Sequence, residues 1–197
     1  MTVTGCSGLS DLLCCDVASV YSTLVSVGGV FPRLNIGCVD EGAVDVAITP
    51  IGGSLDVSGA SLFAIDGLTG VGVVSDLGAR SAIDGDNEGF SIAFSELVAI
   101  KNLRVAGFNR RTVASDTGRI SFNQVLVRCG AFNGANELTD VAGLRSITIS
   151  GDLLGASNDI DLSEFGVVNR CELIFNGRFG APGFALSSVS WLEVDDE

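Results

Sequence analysis

The stretch from Glu88 to Phe94, EGFSIAF, decides the fold class. Bulky apolar residues stand at every second position, as Phe90, Ile92 and Phe94, and alternate with small or polar residues. Successive side chains of a β-strand point to opposite faces, so this alternation predicts a strand with one face in a core. The turn-forming residues Asp84-Gly85-Asp86-Asn87 come directly before it and predict where that strand begins.

Short apolar segments of the same kind recur along the whole chain. Gly, Asp, Asn and Ser separate them, with 26 glycines and three prolines in 197 residues, which is typical of short strands joined by turns. The sequence therefore predicts an all-β fold, a β-sandwich or jelly roll. A parallel β-helix is the alternative, but it would repeat at a fixed period that we do not find. The predicted strands lie near residues 34–39, 43–49, 53–58, 60–65, 70–75, 89–94, 100–105, 120–127, 144–149, 160–162, 167–175 and 184–194.

The N-terminal third of the chain has a different pattern. Between Ser10 and Leu24 apolar residues recur at helical spacing after Ser10-Asp11, a plausible N-cap, but the β-branched residues there suit a strand equally well. We expect a short helix or a strand there. Residues 1–66 are predicted to be an arm or interface segment, or part of the same domain, and residues 67–197 the β-sandwich domain.

Composition and charge narrow the class of partner. Apolar residues make up 47% of the chain and charged residues 18%, with a formal net charge of −13 and a mean hydropathy of +0.47. A nucleic-acid partner needs a basic surface, so we expect none. Polar residues interrupt every long apolar window and the first 13 residues do not resemble a signal peptide, so we expect no membrane span and a protein kept in the cytoplasm. The apolar excess then predicts a surface covered by other protein, in a homo-oligomer or a larger particle.

The residue types offer little for catalysis or for tight metal binding. Histidine, the commonest general base, is absent, and we predict a non-enzymatic protein with no catalytic residues and no cofactor. Paired carboxylates on distant loops would be the alternative.

The six cysteines show no CxxC spacing, so we predict no zinc site and expect reduced, mostly buried thiols. A Cys6–Cys38 disulfide, or pairing between chains, is the alternative. They stand at positions 6, 14, 15, 38, 129 and 171.

Two acidic segments are candidates for binding. Asp84, Asp86 and Glu88 alternate along the Gly-containing turn, so their carboxylates could converge on Ca²⁺, a cation that prefers oxygen ligands. The spacing differs from an EF-hand loop, and a solvated turn is the alternative. The acidic segment from Glu193 to Glu197 is expected either to be solvated or to dock on Arg110-Arg111 of a neighbouring molecule.

Five segments of the C-terminal two thirds of the chain form a recognisable pattern: Gly70 to Val73, Ile83 to Gly85, Glu88 to Phe94, Ile100 to Val105 and Phe184 to Trp191. Through them residues 68–197 resemble the β-sandwich domains of bacterial extracellular proteins that carry PEP-CTERM sorting tails. The resemblance implies a jelly-roll-like fold more than a function.

In character the chain is also similar to small structural proteins of tailed phages, such as capsid cement, decoration and fibre proteins. That similarity implies a virion protein assembled in the host cytoplasm as a homo-oligomer and docked on other structural proteins of the particle. We expect a cement or decoration role first and a tail or fibre role next. The alternative is a carbohydrate-binding or adhesive β-sandwich stabilised by calcium.

Overall fold

The computed structural model describes residues 13–16, 44–53, 62–65, 68–73, 83, 87–108, 110–131, 144–151, 158–176 and 182–194. Within these ranges the chain is made of strands and one 3-10 turn, Ser163–Phe165, so the predicted all-β class is confirmed. The strands are β1 Leu13–Asp16, β2 Val46–Ile51, β3 Leu62–Ile65, β4 Leu68–Val71, β5 Gly89–Ala106, β6 Arg111–Val113, β7 Ile120–Phe122, β8 Gln124–Gly130, β9 Arg145–Ser150, β10 Asp159–Asp161, β11 Val167–Phe175 and β12 Ala185–Glu193.

The long strand β5 organises the sheet. Its first half pairs with β2 along one edge and with β11 along the other, and its second half pairs with β12 and β10. The sequence predicted two strands here, at 89–94 and 100–105. They form one strand of 18 residues, in which the exposed residues 95–97 have no partner in the described ladders and lie between two paired halves.

All described pairings are antiparallel and most belong to one sheet. Its main path runs β3-β4-β12-β5-β11-β8-β9, while β6 and β7 form a separate two-stranded sheet. The division into two facing sheets, as in a sandwich, stays a prediction. No helix among the described residues is long and apolar enough to cross a membrane.

The N-terminal segment contributes to the same sheet. β1 pairs with β12, so residues 13–16 form a strand and the helix considered for them is wrong at these positions. β2 and β3 pair with β5 and β4. Most of residues 1–66 lies outside the described ranges, and the proposed domain boundary stays a prediction.

Alternating side chains of the central strands form the core. Phe90, Ile92 and Phe94 are buried, as the sequence predicted. Trp191 of β12 is also buried, and its ring packs edge-on against Phe94 with the ring centres 5.3 Å apart. Burying a side chain of this size stabilises the fold by roughly 2 kcal/mol or more, so these rings fix β5 against β12.

A disulfide joins β8 to β11. Cys129 and Cys171 lie directly opposite each other in the register, are both buried, and have Cα atoms 4.1 Å apart. The expectation of reduced thiols is therefore wrong for this pair. Cys14 and Cys15 lie on β1, and the Cys6–Cys38 alternative lies outside the described residues.

Candidate assembly surface

A group of apolar side chains is exposed on one face of the sheet, near the middle of β5. Ala99 pairs with Val167 on one side and with Leu192 on the other, and paired residues point to the same face. Leu97, in the bulge of β5, and Val194, directly after β12, are each two residues along the chain from a member of this row. Leu97, Val167 and Val194 are 47%, 45% and 40% exposed. We call these five residues the apolar patch.

A bulge in β5 presents Leu97. Val168 pairs with Val98 but Arg170 pairs with Ala93, so residues 94–97 of β5 lie opposite the single Asn169 of β11. Extra residues in one strand of a pair locally disrupt the ladder and bend that strand. Residues 95–97 are the exposed part of this bulge.

Reciprocal hydrogen bonds hold the bulge in place. The Ser95 N–H donates to the Asp45 carbonyl at 2.9 Å, and the Asp45 N–H donates to the Ser95 hydroxyl oxygen at 2.9 Å. The backbone next to Leu97 is thereby fixed to the segment that leads into β2. The patch is therefore presented by ordered strands.

Charged side chains also lie near the patch. Glu96 is exposed next to Leu97 in the bulge, whereas Glu193 pairs with the buried Val98 and so points to the face opposite Ala99. Lys101, the only lysine of the chain, lies two residues beyond Ala99 on β5, and its positive charge helps to lower the pKa of Asp161. The larger causes of that lowered pKa are hydrogen bonds from the backbone and the side chain of Ser163.

A second exposed apolar pair lies on the hairpin formed by β6 and β7. Val113 and Ile120 are directly opposite each other in the register and are 56% and 50% exposed. Residues 115–120, which include the turn, are all exposed. We call residues 110–122 the basic hairpin, because three arginines and one aspartate give it a formal charge of +2 (three minus one) in a chain of net charge −13.

The turn of the basic hairpin is well defined. The Ala114 N–H donates to the Arg119 carbonyl at 2.9 Å, and the Gly118 N–H donates to the Ala114 carbonyl at 2.8 Å. Gly118 has φ +63°, a conformation that glycine adopts without strain. The exposed Arg119 follows it directly.

A buried asparagine anchors the base of the basic hairpin. The Asn123 Nδ2 group donates to the carbonyls of Gly107 at 2.9 Å, Phe108 at 3.2 Å and Gly183 at 3.0 Å. The Asn123 Oδ1 accepts from the Gly183 N–H at 2.9 Å, and the backbone carbonyl of Asn123 accepts from the Gly151 N–H. The hairpin therefore leaves the sheet from a fixed base.

Sequence reasoning did not find Asn123. It stands inside the apolar segment predicted as one strand at 120–127, which the structure divides into β7 and β8 at this residue. The one available signal was that Asn123 is polar although it alternates with the apolar residues Val125 and Val127. Arg110 and Arg111, considered as a docking site for the acidic segment of a neighbouring molecule, stand at the start of this hairpin, and that docking stays a prediction.

The proposed calcium ligands are only partly within the described residues. Asp84 and Asp86 lie outside them. Glu88 is 4% exposed, and its carbonyl accepts from the Phe175 N–H at 2.7 Å; this burial differs from the solvated turn considered as the alternative. Among the described residues, no group of three or more His, Cys, Asp or Glu side chains could hold a metal ion. The calcium site stays a prediction.

Comparisons with protein-family models, with curated proteins and with solved structures found no match to this chain.

Proposed function

We propose that this chain is a non-enzymatic structural protein that assembles into a particle, as a homo-oligomer and on other structural proteins. The first choice is a capsid cement or decoration protein of a phage virion, assembled in the host cytoplasm, with a tail or fibre role next. Neither a cofactor, nor nucleic acid, nor a membrane is part of this proposal. The apolar patch is the observation that carries it.

The patch supports docking because it is apolar, compact and held by fixed backbone. Scattered exposed apolar residues are normal on a protein surface, but a contiguous group marks a contact site. Here three exposed residues, Leu97, Val167 and Val194, lie around the paired residues Ala99 and Leu192. The low fraction of charged residues, 18%, supports the same interpretation.

The size of the patch favours assembly through several contacts at once. Covering three side chains that are nearly half exposed contributes about 1 kcal/mol each. Association of two free molecules costs at least about 4 kcal/mol in lost freedom of motion. The patch alone therefore supports only weak association of free molecules, visible at high concentration, whereas repeated sites on a particle add their contributions.

The test is light scattering after size-exclusion chromatography on the full chain, over a series of concentrations, with and without calcium. We expect the mass of the wild type to rise with concentration regardless of calcium. The double variant Leu97→Ser, Val167→Ser should stay monomeric. Leu144→Ser is the matched control, because Leu144 is also exposed but directly precedes β9, which β8 separates from β11; it should behave as the wild type.

A monomer at every concentration would contradict the proposed assembly. If that monomer also melted at a higher temperature in calcium and bound glycans on an array, the carbohydrate-binding alternative would replace the assembly proposal.

A further inference from the structure

We infer that Cys129 and Cys171 form a redox lock. The sheet folds and assembles with both thiols reduced, and the disulfide closes when the particle leaves the reducing cytoplasm. The timing of closure rests on the proposed assembly in the host cytoplasm, whereas the ability of the sheet to form without the bond rests on its own contacts.

The backbone ladder between β8 and β11 brings the two cysteines together. The Asn176 N–H donates to the Gln124 carbonyl at 2.9 Å, and hydrogen-bonded pairs alternate with non-hydrogen-bonded pairs along an antiparallel ladder. Counted along the register from this bond, Cys171 and Cys129 form a non-hydrogen-bonded pair, the kind in which opposed residues lie closest. Their Cα atoms are 4.1 Å apart. The register therefore places the two side chains in contact whether or not they are bonded.

Other contacts hold β8 against β11 without the disulfide. Residues 170–175 pair one by one with residues 130–125. One position from the cysteines, Arg128 Nη2 and Glu172 Oε2 form an ion pair of 2.8 Å across the same ladder. The reduced chain is therefore expected to keep the same pairing of strands.

The surroundings of the pair suit reduced thiols as well as a disulfide. Cys129 and Cys171 are 1% and 0% exposed. Val127 and Leu173, two residues away on the same face, are buried and apolar, and so is Ile92, which pairs with Cys171 on β5. A free cysteine in such a place behaves as a small apolar residue, so reduction leaves no strongly polar group unpaired in the core.

The compartment decides which form is present. Glutathione and thioredoxin keep thiols reduced in the cytosol, and disulfides persist in oxidising surroundings. A chain that assembles in the host cytoplasm, as proposed above, therefore assembles with this pair reduced.

A low-molecular-weight disulfide outside the cell is the oxidant. The thiolate of one cysteine attacks it, forms a mixed disulfide and releases one small thiol. The second cysteine then attacks the protein sulfur of the mixed disulfide and releases the second small thiol. The protein loses two electrons and its two thiol protons, and the external disulfide gains both as it becomes two thiols.

Closure has to wait for an opening of the sheet, because neither cysteine is accessible to solvent. β8 lies between β11 and β9 in the main path of the sheet, so the sulfurs become accessible only when β8 separates from β11. With excess oxidant, the rate of closure should therefore be independent of the oxidant concentration. We expect closure to take minutes to hours, as uncatalysed disulfide exchange does.

The first test follows the pair in bacteria that produce the full chain in their cytoplasm. Acid quenching and alkylation fix the thiols before lysis. Trypsin cleaves after Arg128 and Arg170, so each cysteine begins its own peptide, and neither peptide contains another cysteine. Mass spectrometry should find both cysteines alkylated in the cells, and the two peptides linked after lysis into oxidised glutathione. A pair that is already linked in the cytoplasm overturns the lock.

The second test asks whether the sheet forms without the bond. Trp191, the single tryptophan, packs in the core against Phe94, so its fluorescence reports the fold. We expect the same emission from the reduced and the oxidised protein, and a melting temperature about 10 °C lower for the reduced one. A reduced protein with the emission of the unfolded chain overturns the lock.

The control for the second test is the double variant Cys129→Ala, Cys171→Ala. Its emission should match that of the wild type, and its melting temperature should lose most of the dependence on reductant. A variant that keeps the full dependence also overturns the lock, because the dependence would then come from the other four cysteines.

The failures of the two proposals are distinguishable. Light scattering should show the same rise of mass with concentration for the reduced and the oxidised wild type. A wild type that assembles only when oxidised overturns the lock alone. A wild type that stays monomeric in both forms overturns the proposed assembly and the timing derived from it, whereas the folded reduced sheet stands or falls by its fluorescence.

Discussion

Asn123 bonds both backbone groups of Gly183: its Oδ1 accepts from the Gly183 N–H at 2.9 Å and its Nδ2 donates to the Gly183 carbonyl at 3.0 Å. The asparagine amide thereby acts as one more peptide group of the sheet, although the two residues are 60 positions apart. It joins the start of β8 to the segment that leads into β12. Because Asn123 is fully buried, removing its side chain would take both of these hydrogen bonds of Gly183 out of the interior.

Asn123→Asp should destabilise the protein strongly. The change keeps the shape of the side chain but replaces a donor with an oxygen, which would face the carbonyls of Gly107, Phe108 and Gly183. Leaving buried polar groups unpaired costs about 1–3 kcal/mol each. The Gly107 carbonyl keeps the Arg110 N–H at 3.2 Å, so the other two carbonyls give an expected loss of at least about 2 kcal/mol at neutral pH in urea unfolding. Gln124→Glu, the same chemical change on the adjacent residue, which is partly exposed, is the control and should cost under about 1 kcal/mol.

The disulfide between Cys129 and Cys171 should also be a large contributor to stability. It closes a loop across 42 positions, for which restriction of the unfolded chain amounts to roughly 4 kcal/mol. We expect the double variant Cys129→Ala, Cys171→Ala to melt at a lower temperature than the oxidised wild type. Comparison with the wild type in reductant then separates this bond from any effect of the other four cysteines. Equal melting temperatures for the variant and the oxidised wild type would contradict the prediction.

The strands were predictable because their signal is local. The alternation at Phe90, Ile92 and Phe94, and the segment 167–175, are confirmed as strands because one buried face dictates every second residue. The bulge at 95–97 was missed because a bulge and the end of a strand interrupt the alternation of apolar and polar residues in the same way. Only the pairing of β5 with β11 distinguishes the two cases.

The candidate surface was less predictable because it depends on partners distant in sequence. Leu97, Val167 and Val194 meet only through the register of three strands, and the sequence gives no signal of that register. The pairing of Cys129 with Cys171 has the same origin. The docking of the acidic C-terminal segment on Arg110-Arg111 of a neighbour was predicted from charge alone and stays a prediction.

Two cross-strand ion pairs should differ in their contribution to stability. Arg128 Nη2 and Glu172 Oε2 are 2.8 Å apart, and the Glu172 side chain is mostly buried. Arg104 binds Asp159 through two hydrogen bonds, of 2.7 and 3.1 Å, but both side chains are about half exposed. Solvent weakens the exposed pair, although Asp159 raises the pKa of Arg104.

We therefore expect Glu172→Gln to cost about 1–2 kcal/mol, because it leaves the Arg128 charge in a partly buried position. Asp159→Asn should cost less than about 1 kcal/mol. Chemical unfolding of the two variants at low salt measures both. Equal losses, or a larger loss for Asp159→Asn, would show that burial does not set the order.

Asp161 should contribute to the loss of stability in acid. Hydrogen bonds from Ser163 lower the pKa of its carboxyl group in the folded protein. A lowered folded pKa gives a contribution that is present above the unfolded value, about 3.9, and is lost as the pH falls through the folded value. Asp161→Asn should therefore reduce the stability slightly at pH 7 and make its decline below about pH 4 less steep. Urea unfolding from pH 3 to pH 7 tests this, with Asp116→Asn on the exposed turn of the basic hairpin as the control. If Asp161→Asn leaves the slope of the unfolding free energy against pH unchanged in acid, Ser163 does not hold this carboxylate in solution.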